Sequence, residues 1–326
     1  MSKPRIGFLG VGWIGRHRMA AMLGTGAIEA AAISDPSAEM TTEAAKLAPD
    51  AKVAPDLDAM LALGLDGVVI ATPSALHAEQ SVAALEAGAA VFCQKPLGRN
   101  AAEADAVVAA ARRADRLLGV DFSYRHVAGM QAIAGLLRDG ALGHVFAVDL
   151  TFHNAYGPDK PWFYDRALSG GGCVMDLGVH MVDLALWALD WPEVKQVDAQ
   201  LFTGGEPPAG DAVEDFAVAT LTLADGPVVR LACSWRLNAG VDAEIEAAFY
   251  GTEGGARLGN VSGSFYDLKA HRFRGTEAEP LGGVDADWGG CAAAQWARRL
   301  AGGERFDPLA ERLVDVSRTL DRIYAR

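Results

Sequence analysis

The chain has 326 residues, of which 51% are hydrophobic and 22% are charged, and its formal net charge at pH 7 is −13. That length predicts two domains with sizeable cores, and the apolar content excludes an intrinsically disordered chain. The acidic balance argues against nucleic acids and membranes as partners.

The N-terminal segment and the cysteines indicate a reducing compartment. The apolar run Ile6–Leu9 is too short for the core of a signal peptide. No apolar stretch approaches the ~18 residues of a membrane-spanning helix. The four cysteines are Cys93, Cys173, Cys233 and Cys291, and they contain no Cys-x-x-Cys pair. We therefore expect a cytoplasmic protein with free thiols and no metal site.

Residues 1–121 alternate apolar runs with alanine-rich segments. The runs are 5–9, 28–34, 67–72, 89–93 and 117–121. Such nearly unbroken apolar runs are typical of parallel strands covered on both faces. Helices are predicted to start near Ser74 and Asn100, the latter with Glu103 in its first turn. This order predicts a doubly wound α/β domain over residues 1–121.

The pattern changes after residue 121. A helix is predicted over 127–138, a strand near 143–152 and a helix over 176–189. The later runs DFAVATLTL and AEIEAAFYG alternate with a period of two, which is typical of antiparallel strands with one wetter face. A second α/β domain, containing an antiparallel sheet, is therefore predicted over residues 122–326.

A glycine-rich turn follows the first predicted strand. The segment GVGWIG places Gly10, Gly12 and Gly15 in the pattern Gly-x-Gly-x-x-Gly, between a strand and a helix. Gly10 permits the tight turn, Gly12 lets a pyrophosphate approach the backbone, and Gly15 lets the helix pack on the strand. Trp13 and Ile14 open the helix and are included among the expected cofactor-binding residues. A glycine-rich turn without any ligand is the alternative.

The acid at the end of the second predicted strand indicates which dinucleotide is bound. Asp35 follows Gly15 by 20 residues, where a carboxylate accepts hydrogen bonds from ribose hydroxyls and repels a 2′-phosphate. The next residues, 36–39, contain no arginine that would compensate such a phosphate. NAD is therefore favoured over NADP. A role for Asp35 as a helix N-cap is compatible with the same position.

A lysine stands where another predicted strand ends. Lys95 follows Gln94 and precedes Pro96, at the edge of the parallel sheet where ligands bind. A cation there can hold a substrate hydroxyl and stabilise the alkoxide that forms on oxidation. A lysine that extends from a strand end into solvent is the alternative.

Two polar side chains open a predicted helix in the second half. Asp176 and His180 are four residues apart, so we expect them on one helix face, shortly after three glycines at 170–172. An imidazole titrates near neutral pH and suits a general base that takes a hydroxyl proton. Asp176 would orient the substrate or the imidazole. The alternatives are a first-turn acid, a buried histidine and a metal pair, the last without a supporting ligand cluster.

Further cofactor-binding candidates follow the strand at 67–72. Thr72, Pro73 and Ser74 are expected to line the nucleotide cleft, and Ser74 is also a candidate N-cap. Gln94 and His77 are included in this set, although His77 is expected to be chiefly structural.

Three further residues are candidates for substrate binding. Arg125 follows the last strand of the first domain and is expected either to contact substrate or to pair with an acid. The segment 152–165 is rich in aromatic and polar residues, and from it we select His153 and Trp162 as candidates for contact with a sugar ring. A core cluster beneath a loop is the alternative for this segment.

Three stretches together resemble the Gfo/Idh/MocA family of oxidoreductases over essentially the whole chain. They are GFLGVGWIG, ATPSALHAEQ with ALEAGAAVFCQKPL, and GGGCVMDLGVHMVD. The resemblance implies a Rossmann domain followed by an α/β domain with a large, open, mainly antiparallel sheet, and substrate bound at the seam. It implies NAD-dependent hydride transfer with a ring carbinol or ketone of a sugar or cyclitol. The family places its catalytic, substrate-contacting residues at Lys95, Asp176 and His180.

One departure from the family pattern leaves other functions open. The family usually has glutamate where this chain has Gln94, so a charge beside Lys95 is lost. The alternatives are an NAD-dependent glycoside hydrolase that oxidises a ring carbon transiently and a non-catalytic dinucleotide-binding regulator. The resemblance also implies that a second subunit covers an apolar outer face of the antiparallel sheet, giving a homodimer or homotetramer.

Overall fold

A computed structural model describes residues 2–224 and 226–325 of the chain. It contains two compact units. The first comprises the chain up to Asp121 together with Gly290–Asp315, and the second comprises Phe122–Gly289 together with the chain from Val316 onward. The predicted second domain, 122–326, differs from this second unit because Gly290–Asp315 packs into the first unit.

Fourteen strands lie in the described residues. They are β1 (Arg5–Leu9), β2 (Glu29–Ser34), β3 (Lys52–Val53), β4 (Gly67–Ile70), β5 (Ala90–Cys93), β6 (Leu118–Val120), β7 (Val145–Asn154), β8 (Val194–Phe202), β9 (Phe216–Leu223), β10 (Val228–Ser234), β11 (Ala243–Gly251), β12 (Gly255–Asn260), β13 (Leu268–Arg274) and β14 (Glu277–Pro280).

The α-helices in the same residues number ten. They are α1 (Trp13–Gly24), α2 (Ala38–Ala45), α3 (Leu57–Leu61), α4 (Ser74–Glu86), α5 (Ala101–Ala114), α6 (Ala128–Arg138), α7 (Arg166–Ser169), α8 (Val179–Ala188), α9 (Cys291–Ala301) and α10 (Arg312–Ile323). A π-helical turn, Val174–Gly178, leads directly into α8.

The first unit is built on a six-stranded parallel sheet. Its strand order is β3-β2-β1-β4-β5-β6, the doubly wound order in which the chain changes direction between β1 and β4. Every residue of β4 and β5 is buried, as their unbroken apolar runs predict. The side chain of Asn100 accepts a hydrogen bond from the amide of Glu103 at 2.9 Å, which caps α5 at its predicted start.

Helix α9 explains why the C-terminal segment returns to the first unit. Trp296 of α9 is 3% exposed and its ring centroid lies 5.8 Å from that of Phe92 in β5. A Cβ atom at Gly67 or Gly119 would lie 2.8 or 2.7 Å from the indole, so both strands leave room for it. The sequence analysis did not identify this pairing, because it spans about 200 residues of chain.

The second unit is built on an eight-stranded sheet. Its order is β14-β13-β12-β11-β7-β10-β9-β8, and every neighbouring pair is antiparallel except β7 with β10. Strands β9 and β11 alternate buried and more exposed residues as predicted. The inner face packs against helices that include α6 and α8.

The outer face of this sheet is mixed and not uniformly apolar. Arg230 and Asp149 form a two-pronged ion pair at 2.6 and 2.5 Å, and Arg257 pairs with Glu246 at 3.4 Å. Val218, Val228 and Ala232 share the face of Arg230, since the side chains of a strand alternate between the two faces.

One stretch, Arg166–Ala188, has the length and composition of a membrane span at 23 residues. However, 83% of its most apolar window is buried within the second unit, as in the core helix of a globular domain.

Candidate active site

The glycine turn of the first unit has a geometry that only glycine supports at two positions. Gly10 has φ = +80°, and a Cβ atom there would lie 2.6 Å from the backbone of Ala71. A Cβ atom at Gly15 would lie 2.1 Å from the carbonyl oxygen of Gly10. The turn after β1 is therefore packed tightly against the end of β4, at the crevice where the strand order reverses.

The third glycine faces open space. A Cβ atom at Gly12 would meet nothing within 4 Å, and Gly12 is the N-cap of α1. No side chain among the described residues caps this helix, so its first amides and the positive end of its dipole face the same space. Trp13 is 61% exposed and Ile14 is half-buried beside it. These features fit the pyrophosphate of a dinucleotide.

Asp35 lies beside the glycine turn and is held by two backbone amides. Its carboxylate accepts hydrogen bonds from Val11 at 2.8 Å and from Ser37 at 2.9 Å. The N-cap of α2 is Ser37, whose hydroxyl accepts from Met40 at 3.3 Å, so Asp35 is not the helix cap. Each carboxylate oxygen keeps further acceptor capacity, which fits the ribose hydroxyls of NAD.

The loop after β4 contains the next three candidates. The hydroxyl of Thr72 donates to the side-chain oxygen of Gln80 at 2.6 Å. Pro73 occupies the N-cap position of α4, so Ser74 is the first helical residue and not the cap. Because Gly10 touches Ala71, this loop and the glycine turn border the same crevice of the first unit.

His77 connects two loops instead of facing open space. Its Nδ1 lies 2.7 Å from the carbonyl oxygen of Pro96 and its Nε2 lies 2.7 Å from that of Thr72. Burial lowers the pKa of His77, and the two carbonyl groups act in the opposite direction. A neutral imidazole has one N–H, so His77 donates to one of the two carbonyl groups while lying against the other, between the loop after β4 and the loop after β5, a structural role.

Lys95 follows directly on the buried end of β5. The backbone amide of Gln94 donates to the carbonyl oxygen of Ile70 at 2.8 Å, so the strand pairing extends up to the residue before the lysine. Lys95 itself is half-buried and joined to Pro96 by a cis peptide bond. The side-chain amide of Gln94 donates to the carboxylate of Asp121 at 2.6 Å.

In the second unit, Asp176 lies in a π-helical turn and not in the regular α-helix that the sequence predicted. The turn spans Val174–Gly178, and α8 begins only at Val179. Its wider winding changes the angle between Asp176 and His180 from that of an α-helical pair four residues apart. The indole Nε1 of Trp235 donates to the Asp176 carboxylate at 3.1 Å.

The buried side chain of Tyr124 packs against His180. The ring of Tyr124 lies edge-on to the His180 imidazole, with centroids 5.1 Å apart. Burial raises the pKa of Tyr124, and the negative charge of Asp176 raises it further. The structure thus sets the histidine against the Tyr124 ring, and the charge of Asp176 acts on the phenol of the same residue.

Glu214 is a site residue that the sequence did not indicate. It is 2% exposed, and its carboxyl group accepts from the amides of Gly172 at 3.0 Å and Val174 at 2.9 Å, where the Asp176 turn begins. Burial raises the pKa of Glu214, and these donors oppose that shift. Gly172 and Val174 are 42 and 40 residues away from Glu214 along the chain, so no local sequence pattern predicts these contacts.

Arg125 pairs with an acid, the second of its two predicted roles. Its guanidinium binds both carboxylate oxygens of Asp183, with Nε–Oδ2 at 2.7 Å, and its side chain is 20% exposed. It also lies over the rings of Phe122 at 5.2 Å and Trp191 at 5.0 Å. Burial raises the pKa of Asp183, and the arginine counteracts this.

The two aromatic-segment candidates, His153 and Trp162, each stack on another aromatic ring. Phe152 faces His180 at 6.4 Å, whereas the next residue, His153, points to the opposite face of the sheet and stacks on Phe216. The structure does not bring His153 to His180, because neighbouring strand residues face opposite sides. Trp162 stacks on Phe163 at 3.8 Å.

The described residues contain no cluster of three or more histidines, cysteines or acids that could hold a metal ion. All four cysteines are free thiols, and burial raises the pKa of Cys93 to about 12.

The fold and the glycine turn define a dinucleotide-binding Rossmann protein, and the comparisons define its family. The model for the oxidoreductase family with an NAD-binding Rossmann fold matches residues 4–122, and the GFO/IDH/MocA C-terminal domain matches residues 130–257. The chain belongs to the Gfo/Idh/MocA family. The predicted membership, the Rossmann domain with a second, mainly antiparallel sheet, and NAD as cofactor are thereby confirmed.

Three curated relatives are 30% identical to this chain over the aligned residues. D-glucoside 3-dehydrogenase of Escherichia coli (strain K12) is 30% identical over 244 residues, covering 71% of this chain and 70% of the relative. Inositol 2-dehydrogenase of Acidiphilium cryptum is 30% identical over 259 residues, covering 78% and 73%. D-apiose dehydrogenase of Paraburkholderia graminis is 30% identical over 290 residues, covering 86% and 74%.

Solved structures share the fold over almost the whole chain. Levoglucosan dehydrogenase in complex with NADH and levoglucosan has a TM-score of 0.84 at 21% identity, covering 99% of this chain and 97% of that one. GenD2 from gentamicin A biosynthesis, in complex with NAD, has a TM-score of 0.83 at 24% identity, covering 100% and 94%.

Proposed function

We propose that this protein is an NAD-dependent dehydrogenase that interconverts a ring carbinol and a ketone of a sugar or cyclitol. The observation that carries the proposal is the glycine turn with Asp35, which fits NAD, in a chain whose second unit sets His180 edge-on to Tyr124 and holds Asp176 through Trp235. The relatives named for glucoside, inositol and apiose oxidation support the substrate class.

The proposed mechanism gives each polar residue a separate task. His180 takes the hydroxyl proton of the substrate, a contribution typically of about 10² to 10⁴ in rate. The ammonium group of Lys95 stabilises the oxygen as it acquires negative charge. Asp176, held by Trp235, accepts a hydrogen bond from a neighbouring hydroxyl and orients the ring. NAD held at the glycine turn and Asp35 would supply the acceptor for the hydride that leaves the carbinol carbon.

We further propose that the protein is a cytoplasmic homodimer or homotetramer joined through the outer face of the second sheet. Four buried or half-buried free thiols are compatible with a reducing compartment. The outer face carries both signs of charge, as in the Arg230–Asp149 pair, so two copies related by a twofold axis can present complementary charges. Light scattering of the wild type and of Arg230→Asp tests this, because a monomeric wild type contradicts it.

The function is tested by incubating the purified protein with NAD and a panel of free sugars, cyclitols and aryl glycosides. NADH and released aglycone are both recorded. NADH formation without aglycone release supports the dehydrogenase. Aglycone release without net NADH indicates the glycoside hydrolase, and tight NAD binding without turnover indicates the regulator.

His180→Ala is measured in parallel with His144→Ala as a matched control. His144 is exposed on the second unit, and its side chain lies outside the proposed site. We expect His180→Ala to lower kcat by at least about 100-fold and His144→Ala to leave it unchanged. Equal activity of both variants would remove His180 from the mechanism.

A further inference from the structure

A buried hydrogen-bonded triad lies in the first unit behind the lysine-bearing loop. The Asp121 carboxylate oxygen Oδ2 accepts from Arg18 Nε at 2.5 Å and from Gln94 Nε2 at 2.6 Å. The three residues are 1%, 8% and 7% exposed, respectively. A buried carboxylate with two donors on one oxygen is a tightly fixed group, since charge-assisted hydrogen bonds in a water-poor site are strong.

The triad is fixed at both strand ends by backbone pairing. The amide of Asp121 donates to the carbonyl oxygen of Cys93 at 3.0 Å, and the amide of Gln94 donates to that of Ile70 at 2.8 Å. Arg18 belongs to α1, the helix that starts at the glycine turn. The carboxylate therefore connects the nucleotide-side helix with the residue that directly precedes Lys95.

We propose that Asp121 is a positioning residue for Lys95, acting through the side chain of Gln94, and that it supplies the buried negative charge of this loop. The inference rests on the proposed function of Lys95. A glutamate at position 94 would set two carboxylates at hydrogen-bonding distance and remove a donor, so glutamine is the residue that fits beside Asp121. The negative charge that the family usually has at position 94 is then supplied by Asp121 in this chain.

Three variants separate hydrogen bonding from charge. In Asp121→Asn the side-chain oxygen takes the place of Oδ2 and can accept from both Arg18 and Gln94, so the bonds persist and only the charge is lost. In Gln94→Glu two acceptors face each other and the charge is doubled. In the double variant Gln94→Glu/Asp121→Asn a single negative charge returns, and a rotation of the asparagine amide lets its oxygen accept from Arg18 and its nitrogen donate to the glutamate.

The three variants and the wild type are compared by steady-state kinetics with NAD and the best substrate from the panel. We expect each single variant to lower kcat by at least about tenfold with a smaller change in the KM for NAD. The double variant should return to within about threefold of the wild type. Asp115→Asn is the matched control, because Asp115 pairs with exposed Arg305 and has φ = +49°, which asparagine tolerates.

A second readout does not depend on turnover. Lysines of the cofactor-free protein are methylated with ¹³C-formaldehyde, and the Lys95 methyl resonance is identified by its absence in Lys95→Arg. We expect this resonance to shift in both single variants and to return in the double variant. A protein without dehydrogenase activity would refute the proposed function while leaving this comparison intact.

The proposal is overturned if, in both kcat and the Lys95 resonance, the double variant departs from the wild type as far as the more strongly affected single variant does. It is also overturned if the Lys95 resonance has the wild-type position in all three variants. If Asp121→Asn does not fold, Gln94→Glu is compared with the double variant alone. Recovery of kcat and of the Lys95 resonance in the double variant supports the proposal, and no recovery overturns it.

Discussion

The carboxyl group of Glu214 accepts a hydrogen bond from the hydroxyl of Tyr324, 110 residues further along the chain, at 2.7 Å. The same hydroxyl accepts from the amide of Met175 at 3.2 Å. A Cβ atom at Gly172 would lie 1.8 Å from the Glu214 carbonyl oxygen, so the backbone approaches closely at this point. Together these contacts satisfy the amides where the Asp176 turn begins, which a helix start otherwise leaves without partners.

Replacing Tyr324 by phenylalanine tests this cap. The ring stays and the hydroxyl is lost, so Glu214 loses one donor and Met175 one acceptor. We expect the free energy of unfolding to fall by about 1–3 kcal/mol, measured by urea titration. Tyr164→Phe is the control, because the Tyr164 hydroxyl also donates to one group, Pro158, and accepts from another, Arg236, but does so at the exposed surface, so its loss should cost less than about 0.5 kcal/mol. Equal effects of the two variants would contradict the cap.

Glu214→Gln gives a prediction with a defined pH dependence. The raised pKa of Glu214 means that the folded chain holds this proton more tightly than the unfolded chain does. As pH rises above the unfolded value of 4.5, the unfolded state ionises first and the wild type loses stability relative to the uncharged variant. We expect the stability of the wild type relative to Glu214→Gln to be highest below that pH, to fall as pH rises through the folded-state pKa, and to level off above it. An advantage that grows with pH would contradict the assigned direction.

Two glycines of the nucleotide turn are predicted to respond differently to alanine. Gly12→Ala should change the unfolding free energy of the cofactor-free protein by less than about 0.5 kcal/mol, because its Cβ meets nothing within 4 Å. The same variant should bind NAD at least about tenfold more weakly. Gly15→Ala should destabilise the free protein by about 2 kcal/mol or more, because its Cβ collides with Gly10. Gly24→Ala, at the open end of the same helix, is the control. Loss of stability in Gly12→Ala would argue against a cradle for the cofactor.

Asp35→Asn tests the choice between NAD and NADP. The asparagine can accept from only one of the two amides, Val11 or Ser37, with its oxygen, and it no longer repels a phosphate. We expect NAD to bind roughly tenfold more weakly and the preference for NAD over NADP to narrow, as measured by calorimetric titration of both. An unchanged preference would exclude Asp35 from the ribose site.

The features that the sequence predicted well are the local ones. The glycine turn, Asp35 and the Asn100 cap lie on segments whose spacing along the chain sets their geometry, so a pattern of a few residues suffices. The strands of the parallel sheet are likewise unbroken apolar runs, although the two-residue β3 carries too little pattern to be recognised.

The features that the sequence missed depend on distant partners. Glu214 caps a turn 40 residues away, Asp121 meets Arg18 across 103 residues, and Trp296 fills a space between two strands of the first unit. The π-helical turn under Asp176 is also a tertiary outcome, since its residues have the same apolar pattern as the α-helix that follows. Propensity and spacing do not encode such pairings.

The most direct measurement of the proposed chemistry follows deuterium from substrate to cofactor. The best substrate of the panel, deuterated at its ring carbons, is incubated with stoichiometric NAD and the protein, and the recovered dinucleotide is analysed by mass spectrometry. A dehydrogenase acting on a ring carbinol yields NADH that carries one deuterium, and His180→Ala yields little of it. Recovery of unlabelled NAD alone, with a substrate that remains chemically unchanged, would contradict hydride transfer by this protein.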